Sequence, residues 1–382
     1  MIMNCSLKIA HLIPAHPTLQ NTLVHMLKVD FEAYNHEIFI LQLNESIMAK
    51  LPTGISASKI SLSTPLASWN EMMNFCDIFK KFDLVVFHSI QIPINMKLFL
   101  ASFHPGFFKK MIWIEWGFDL YIERIPGIVN GIKHQIKKLI LKIFERKIPY
   151  FVAIHPADVK KYHQTVKGNA QIFSAQYRGS NVIEYDLTKY CKTSMICKRQ
   201  CDEPIYIQIN HRADRILDHK EVIDKLSKYK EENIRVVFPL CYGDKEYGDV
   251  VASYASNVFG EKAICIREIM AYDKYIELLK KIDIFILNSN RQIALGNLNP
   301  MIRMQKKIYM PKTSVLYEYY NRIEECIQDY YNIDFETFEE FTSDIDMSKL
   351  SQNMDEYLAV DCIEEWKNIF ESIGKDYLRR KK

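Results

Sequence analysis

Pro204-Ile205-Tyr206-Ile207-Gln208-Ile209, followed by Asn210-His211-Arg212-Ala213-Asp214-Arg215 and then Asp218-His219-Lys220-Glu221, is the stretch on which the fold turns. The first piece is an apolar run of strand length. The second is polar. The third places Asp218 and Glu221 at capping-box spacing, and Val222, Ile223 and Leu226 continue one helix face. Strand, loop and capped helix in that order form the repeating unit of a parallel sheet covered by helices.

The alternation extends in both directions. Downstream, Ile234 to Leu240 reads as a strand, Tyr272 to Lys281 as a helix, Asp283 to Leu287 and Lys307 to Met310 as strands, and Met354 to Ile373 as a long amphipathic terminal helix. Upstream, Lys8 to Ile13 is a buried strand ended by Pro14, and Leu19 to Val29 has helical spacing. His36 to Leu43, Asp83 to Phe87, Met111 to Ile114 and Phe151 to Ile154 are further strands, with a helix over Ile94 to Ser102. Asn181 to Glu203 is polar, lysine-rich and weakly periodic, which marks a linker. The expected organisation is α/β throughout. It has a Rossmann-like domain over residues 1–185, a second over 203–350, and a C-terminal helical segment over 351–382.

Composition fits this. At 382 residues the chain is too long for one ordinary core. A net charge of +3 gives no reason to expect a nucleic-acid partner. Nine cysteines, an odd number scattered along the chain, suit free thiols in a reducing cytoplasm. Cys191, Cys197 and Cys201 cluster, but not at zinc spacing and with no histidine close by, so no metal site is expected. The start of the chain shows no h-region of a signal peptide, and no stretch approaches the ~20 apolar residues of a membrane span.

In an open α/β sheet ligands bind beyond the carboxyl ends of strands. Two loops of the second half lie there. Asn210, Arg212, Arg215 and His219 surround a helix start whose N–H groups suit a phosphate. Arg291, Gln292, Gly296 and Asn297 follow the strand ending at Leu287, with Gly296 open to a pyrophosphate and Arg291 able to pair with it. The plain alternative for either is a solvated polar turn. Tyr242, Gly243 and Tyr247 form either a Gly-Asp turn or a lid over a nucleotide. In the first half, Glu115, Trp116, Gly117, Asp119 and Tyr121 combine carboxylates with aromatic rings at a strand end, as a sugar site does, or as a structural cluster does. His16, just past the first strand, can face a donor as a base. Along Lys133 to Lys147, Ile136, Leu139, Ile140, Ile143 and Phe144 fall at helical spacing, with Lys137, Lys138, Lys142 and Arg146 mostly on other faces. Such a helix either rests on anionic lipid or turns its stripe to the core.

Five motifs in order carry a resemblance. They are Phe87-His88, Trp116-Gly117-x-Asp119-Leu120-Tyr121, Asn210 with Arg212 and His219, Pro239-Leu240-x-Tyr242-Gly243-Asp244-x-x-Tyr247, and Arg291-Gln292-x-x-x-Gly296-Asn297. Together they resemble the 4-acetamido-4,6-dideoxygalactose (Fuc4NAc) transferases of enterobacterial common antigen synthesis, which are 4-alpha-L-fucosyltransferase-like enzymes of glycosyltransferase family 56. The resemblance runs from near residue 8 to about residue 320; residues 41–75 and the region from Asp329 onward depart from it.

The resemblance implies a GT-B fold, two Rossmann-like domains facing a central cleft. It also implies an inverting reaction with no cofactor or required metal, a dTDP-sugar donor and a polyprenyl-diphosphate-linked acceptor. The Asn210 and Arg291 loops become the donor diphosphate site, with Glu318 a candidate for ribose or sugar hydroxyls. His88, Trp116, Gly117 and Tyr121 become acceptor residues. Asp119, then His16, then Glu115 are the candidate bases. The helix over 133–147 would meet the cytoplasmic face of the inner membrane. O-antigen or capsule assembly, a UDP- or GDP-sugar donor, a nucleotide-sugar 2-epimerase and a non-catalytic nucleotide-binding module are the alternatives.

Overall fold

The computed structural model describes residues 7–15, 23–24, 26–27, 31, 35–43, 57–121, 128–177, 203–320, 327–344 and 362–381. The chain divides into two compact units, Met1–Ser180 with Asp361–Lys382, and Asn181–Val360. Linker residues 181–202, and with them Cys191, Cys197 and Cys201, lie outside the described residues, as do His16 and most of the helical stretch at 19–29.

The first unit runs β1 (Lys8–Pro14), β2 (Asn35–Leu43), β3 (Ser58–Leu62), α1 (Trp69–Lys80), β4 (Leu84–His88), α2 (Ile94–Phe103), α3 (Pro105–Phe108), β5 (Met111–Glu115), α4 (Ile128–Glu145), β6 (Tyr150–Ala153), α5 (Ala157–Thr165) and β7 (Gln171–Ser174). Its seven strands are parallel in the order β3-β2-β1-β4-β5-β6-β7. The central strands are buried on both faces, which is why they read as unbroken apolar runs. One face is covered by α1 to α5 through Phe75, Phe79, Phe99, Phe107, Phe144 and Tyr162. A short strand such as β3 or β7 has too few residues to show a period, so sequence reading passed over both.

The opposite face is covered in part by the terminal helix Cys362–Lys381. This helix falls in the C-terminal helical segment expected over 351–382, and it packs within the first unit. Trp366, Ile369, Phe370 and Ile373 supply an apolar stripe, Trp366 Nε1 donates to the Gln176 carbonyl (2.8 Å), and the Tyr150 hydroxyl donates to Asp376 (2.8 Å).

The second unit runs β8 (Ile205–Ile209), α6 (His219–Leu226), β9 (Ile234–Pro239), α7 (Lys245–Phe259), β10 (Ala263–Ile266), α8 (Tyr272–Lys281), β11 (Ile284–Ile286), α9 (Leu295–Arg303), β12 (Lys307–Met310), α10 (Val315–Tyr320), β13 (Ile327–Asp329) and α11 (Phe338–Thr342). Its six strands are parallel in the order β10-β9-β8-β11-β12-β13. In each unit the chain winds outward one way from the first strand and then starts again on that strand's other side. The crevice at that reversal lies between β1 and β4 in one unit and between β8 and β11 in the other.

Candidate functional site

In the second unit the reversal point is bridged by amides. Asn210 follows β8 with φ 55°, a left-handed conformation that Asn tolerates well. Its side chain accepts from the Asn288 backbone N–H (2.9 Å) and donates to the Leu217 carbonyl (3.2 Å). Gln208 Nε2 donates to both the Asn210 carbonyl and Asn297 Oδ1, each at 3.0 Å, and the Tyr275 hydroxyl also donates to Asn297 Oδ1. The structure thus brings the Asn210 and Arg291 loops together. It also gives the Asn210 and Asn297 side chains internal partners, so they position the loops.

The start of α9 completes this site. Ala294 is left-handed (φ 62°), Gly296 is exposed, and nothing lies within 4 Å of where a Cβ at Gly296 would be. Arg291 is half-buried just before it, Gln292 is buried, and the Ser289 hydroxyl accepts from the Arg291 N–H (3.1 Å). A helix start with space over its first turn and an arginine beside it is the arrangement that receives phosphate. Glu318 is exposed on α10.

Gly243 plays a different part from the one its motif suggested. Its φ is +103°, and a Cβ there would lie 2.1 Å from the Ala213 carbonyl oxygen. Ala213 and Gly243 form a parallel bridge that ties the loops after β8 and β9. The stretch after Gly243 is helix α7, capped by Asp244, rather than a lid. Tyr247 sits in its first turn, where its hydroxyl accepts from the His219 backbone N–H (3.2 Å) and the Arg215 guanidinium lies 5.0 Å from its ring. Tyr242 is exposed, with the His211 ring 6.3 Å away. Arg212 pairs with Asp214. His219 is fully buried, and burial lowers its pKa to about 4; burial likewise takes His211 to about 3. The expected capping box at α6 is half formed: Asp218 accepts from the Glu221 N–H, but the Glu221 carboxylate accepts from Asn288 Nδ2 (3.3 Å).

In the first unit the reversal point is bridged by histidines. His11 on β1 and His88 on β4 share a hydrogen bond of 2.9 Å, His11 also bonds His36, and His88 shares one with the Tyr177 hydroxyl (2.8 Å). Trp116 Nε1 donates to that same hydroxyl (3.0 Å). His88, expected to touch the acceptor, is therefore an interior group; burial, with His36 beside it, lowers its pKa to about 3. The sequence reads His11, like His16, His25 and His88, as a scattered loop histidine, whereas it lies buried on β1; nothing in spacing links it to Tyr177.

Asp119 is also interior. It accepts from Ser89 Oγ (2.7 Å), Trp113 Nε1 (3.1 Å) and the Ile90 N–H (3.4 Å), so both oxygens are engaged. Burial raises its pKa against those bonds. Gly117 (φ 82°) and Ser89 (φ 73°) make the turns that let Asp119 join the loop after β4 to β5.

Glu115 is buried against Asp158 of α5, a residue that sequence reading passed over although it follows His155-Pro156 by two positions. Burial and the neighbouring Asp158 raise Glu115 well above the carboxylate range, and burial raises Asp158 to about 7. Both carboxyls are thereby held toward their protonated forms. The Tyr121 hydroxyl donates to Asp158 (3.0 Å), and Tyr121 keeps part of its surface in solvent. Behind Asp119, Lys97 is buried near Glu145 and pulled down by burial to about 8, with Glu145 raised to about 7.

Helix α4 departs from a core-facing stripe. Ile132, Ile136, Leu139 and Ile143 are exposed, while His134, Leu141, Phe144 and Glu145 face inward. No helix among the described residues is long and apolar enough to cross a membrane.

The sequence profile of the 4-alpha-L-fucosyltransferase family, glycosyl transferase group 56, matches residues 80–370. The match starts later than the resemblance read from residue 8 and continues into the terminal helix. Among solved structures, HepE of Anabaena, in complex with UDP and glucose, superposes with a TM-score of 0.62 at 10% identity, over 96% of this chain and 99% of that one. The lipopolysaccharide outer core galactosyltransferase WaaB, in its apo form, gives 0.64 at 12%, over 96% and 99%. A glycosyltransferase from Rickettsia africae gives 0.54 at 16%, over 98% and 93%. At these identities the likeness is one of fold, the GT-B arrangement of two parallel-sheet domains.

Proposed function

The chain belongs to the 4-alpha-L-fucosyltransferase family of glycosyl transferases and is a GT-B glycosyltransferase, and on that premise we propose that it moves a deoxyamino sugar of the Fuc4NAc type from a dTDP-sugar to a polyprenyl-diphosphate-linked saccharide. The observation that carries the donor assignment is the start of α9. Gly296 has open space above it and Arg291 precedes it, beside the crevice between β8 and β11. In this reading the diphosphate lies on the first turn of α9, Arg291 pairs with it, Tyr242 meets the base and Glu318 the sugar or ribose hydroxyls. Helix dipole and guanidinium stabilise the leaving group without a required metal.

The reaction is one displacement. The acceptor oxygen forms a bond to the anomeric carbon, the bond to the β-phosphate oxygen breaks, and dTDP leaves with that electron pair. The acceptor proton passes to the first unit. Of the bases considered, Asp119 has both oxygens engaged by protein donors, whereas the Glu115–Asp158 pair has room for a proton and reaches half-buried Tyr121 through a hydrogen bond. The proposal therefore routes the proton through Tyr121 to that pair, with Trp116 and Tyr121 against the acceptor sugar and Gly117 shaping their loop. The exposed stripe and lysines of α4 suit a cytoplasmic membrane surface, where a polyprenyl acceptor resides.

Transfer from dTDP-Fuc4NAc to a short-chain polyprenyl-diphosphate acceptor, with the product anomer read by NMR, tests this. Inverted product, unchanged by EDTA, is expected. Retained configuration, or transfer only from UDP- or GDP-sugars, would refute the reading. Arg291→Ala should raise the donor KM at least tenfold.

A further inference from the structure

The outward side of the helical layer in the first unit carries apolar surface beyond α4. Leu66 and Trp69 at the start of α1, and Leu98 and Phe103 on α2, are exposed, Trp69 by 58% and Phe103 by 67%. This surface is built. The Trp69 ring meets Phe99 edge-on at 5.2 Å and Phe103 at 6.3 Å, and Asn95 exchanges two hydrogen bonds with the Ala67 backbone (3.0 and 2.6 Å), fixing the segment that carries Leu66.

It also adjoins α4. On α2, Asn95 and Phe99 meet the start of α1, whereas Lys97 lies 5.8 Å from the Phe144 ring of α4. Leu98 faces outward between those two sides, so the Trp69 surface and the exposed stripe of α4 lie side by side. Single exposed apolar residues are ordinary on any protein. Eight of them on three neighbouring helical segments form a surface that something covers.

The charge around it says what. Between Asp83 and Glu115 the sequence has no acidic residue; of the three lysines there, Lys109 is exposed, Lys110 is half-buried against the Phe79 and Phe82 carbonyls, and Lys97 is interior. On α4 Lys133, Lys137 and Lys138 are exposed and its sole acid beyond the first turns, Glu145, is buried. The acid nearest Trp69, Glu71, is held by Ser68 and Ser63 in the helix cap. Apolar surface with aromatic rings beside the exposed lysines of α4 matches the boundary between headgroups and acyl chains of an anionic bilayer.

We propose that Leu66, Trp69, Leu98 and Phe103 form an aromatic edge that enters an anionic bilayer beside α4, so that the first unit docks on the membrane through two adjacent surfaces. This rests on the membrane-facing reading of α4 and adds a second, penetrating contact to it.

Tryptophan fluorescence tests it directly on the full chain. Trp113 and Trp366 are buried and Trp116 half-buried, so Trp69 is the tryptophan open to lipid. Vesicles of phosphatidylcholine with phosphatidylglycerol, carrying lipid brominated near the top of the acyl chain, should quench and blue-shift the emission, and Trp69→Phe should remove most of that quenching. Trp69→Ala with Phe103→Ala should raise the lipid concentration for half-binding at least tenfold, with the far-ultraviolet spectrum unchanged. If wild type binds, and Lys137→Glu with Lys138→Glu abolishes binding, but Trp69 is not quenched, the edge is refuted and the α4 reading stands. If wild type binds no vesicle, both fall. If the Trp69 and Phe103 changes turn a lipid-free dimer into a monomer, the surface belongs to a second copy and the proposal is overturned.

Discussion

In the first unit the strands flanking the reversal point, β1 and β4, are joined by His11 and His88; in the second, β8 and β11 are joined by Asn210 and Asn288. The strand order is shared, and so is a left-handed residue just past a flanking strand, Ser89 in one unit and Asn210 in the other. The difference lies in what the loops are made of. The first unit buries titratable groups at and beside its crevice: a histidine chain to Tyr177, Asp119 under three donors, and, at the end of the neighbouring β5, the Glu115–Asp158 pair. The second holds its crevice with neutral amides and close backbone contacts, leaving the first turn of α9 open. One unit buries titratable side chains beside its crevice and the other leaves backbone N–H groups of a helix start open, a difference that the proposed division into acceptor and donor halves uses.

Acid should separate the two most strongly. His211 (about 3) and His219 (about 4) lie below the ordinary histidine value because burial favours the neutral form. Their contribution is complete above about pH 6.5 and is lost as pH falls toward those values. From pH 7 to 5 each should cost the second unit about 2 kcal/mol. In the first unit His88 and His155, both about 3, act in the same direction. Asp158 and Glu145, both raised to about 7, act oppositely: their contribution is complete below the unfolded carboxylate value and lost as pH rises through 7. The first unit should therefore hold its stability from pH 7 to 5 while the second loses it. Hydrogen exchange of β5 and β8, corrected for the intrinsic rate, reads this, and equal losses would break the contrast.

Asp119→Ala should come next. It leaves the Ser89 hydroxyl and the Trp113 and Ile90 N–H groups without their acceptor, at about 3 kcal/mol in the first unit. Denaturant unfolding measures it. Asp119→Asn that folds as wild type yet has no turnover would restore Asp119 as the base. Gly243→Ala should cost the second unit about 2 kcal/mol from its positive φ and the Ala213 carbonyl, read as a fall in Tm. Gly296→Ala marks the small end: with open space and no positive φ, its effect on stability should stay within about 0.5 kcal/mol.

The sequence was legible where burial is two-sided. Strands such as β4, β5 and β8 are uninterrupted apolar runs, and their ends located the loops that matter. Short edge strands such as β3, β7 and β13 carried no period. Side-chain roles were harder to read. Gly243 and Gly296 look alike in a motif, yet one is required by a backbone 2.1 Å away and the other borders open space. The partners of His88 and Glu115 sit on other strands and helices, so only the folded chain pairs them. The α4 stripe has the same spacing whether it faces core or solvent, and burial alone decided it.

Whether the first turn of α9 receives the donor diphosphate is decided by a thermal-shift titration of wild type and Gly296→Val with dTDP, UDP, GDP and CMP, with and without magnesium. A ligand bound only by the folded state raises Tm with its occupancy. If the diphosphate binds there, dTDP raises the Tm of wild type equally with and without magnesium, and Gly296→Val keeps the ligand-free Tm but loses the shift. A wild-type protein that no nucleotide stabilises, or a Gly296→Val protein stabilised as well as wild type, would contradict it.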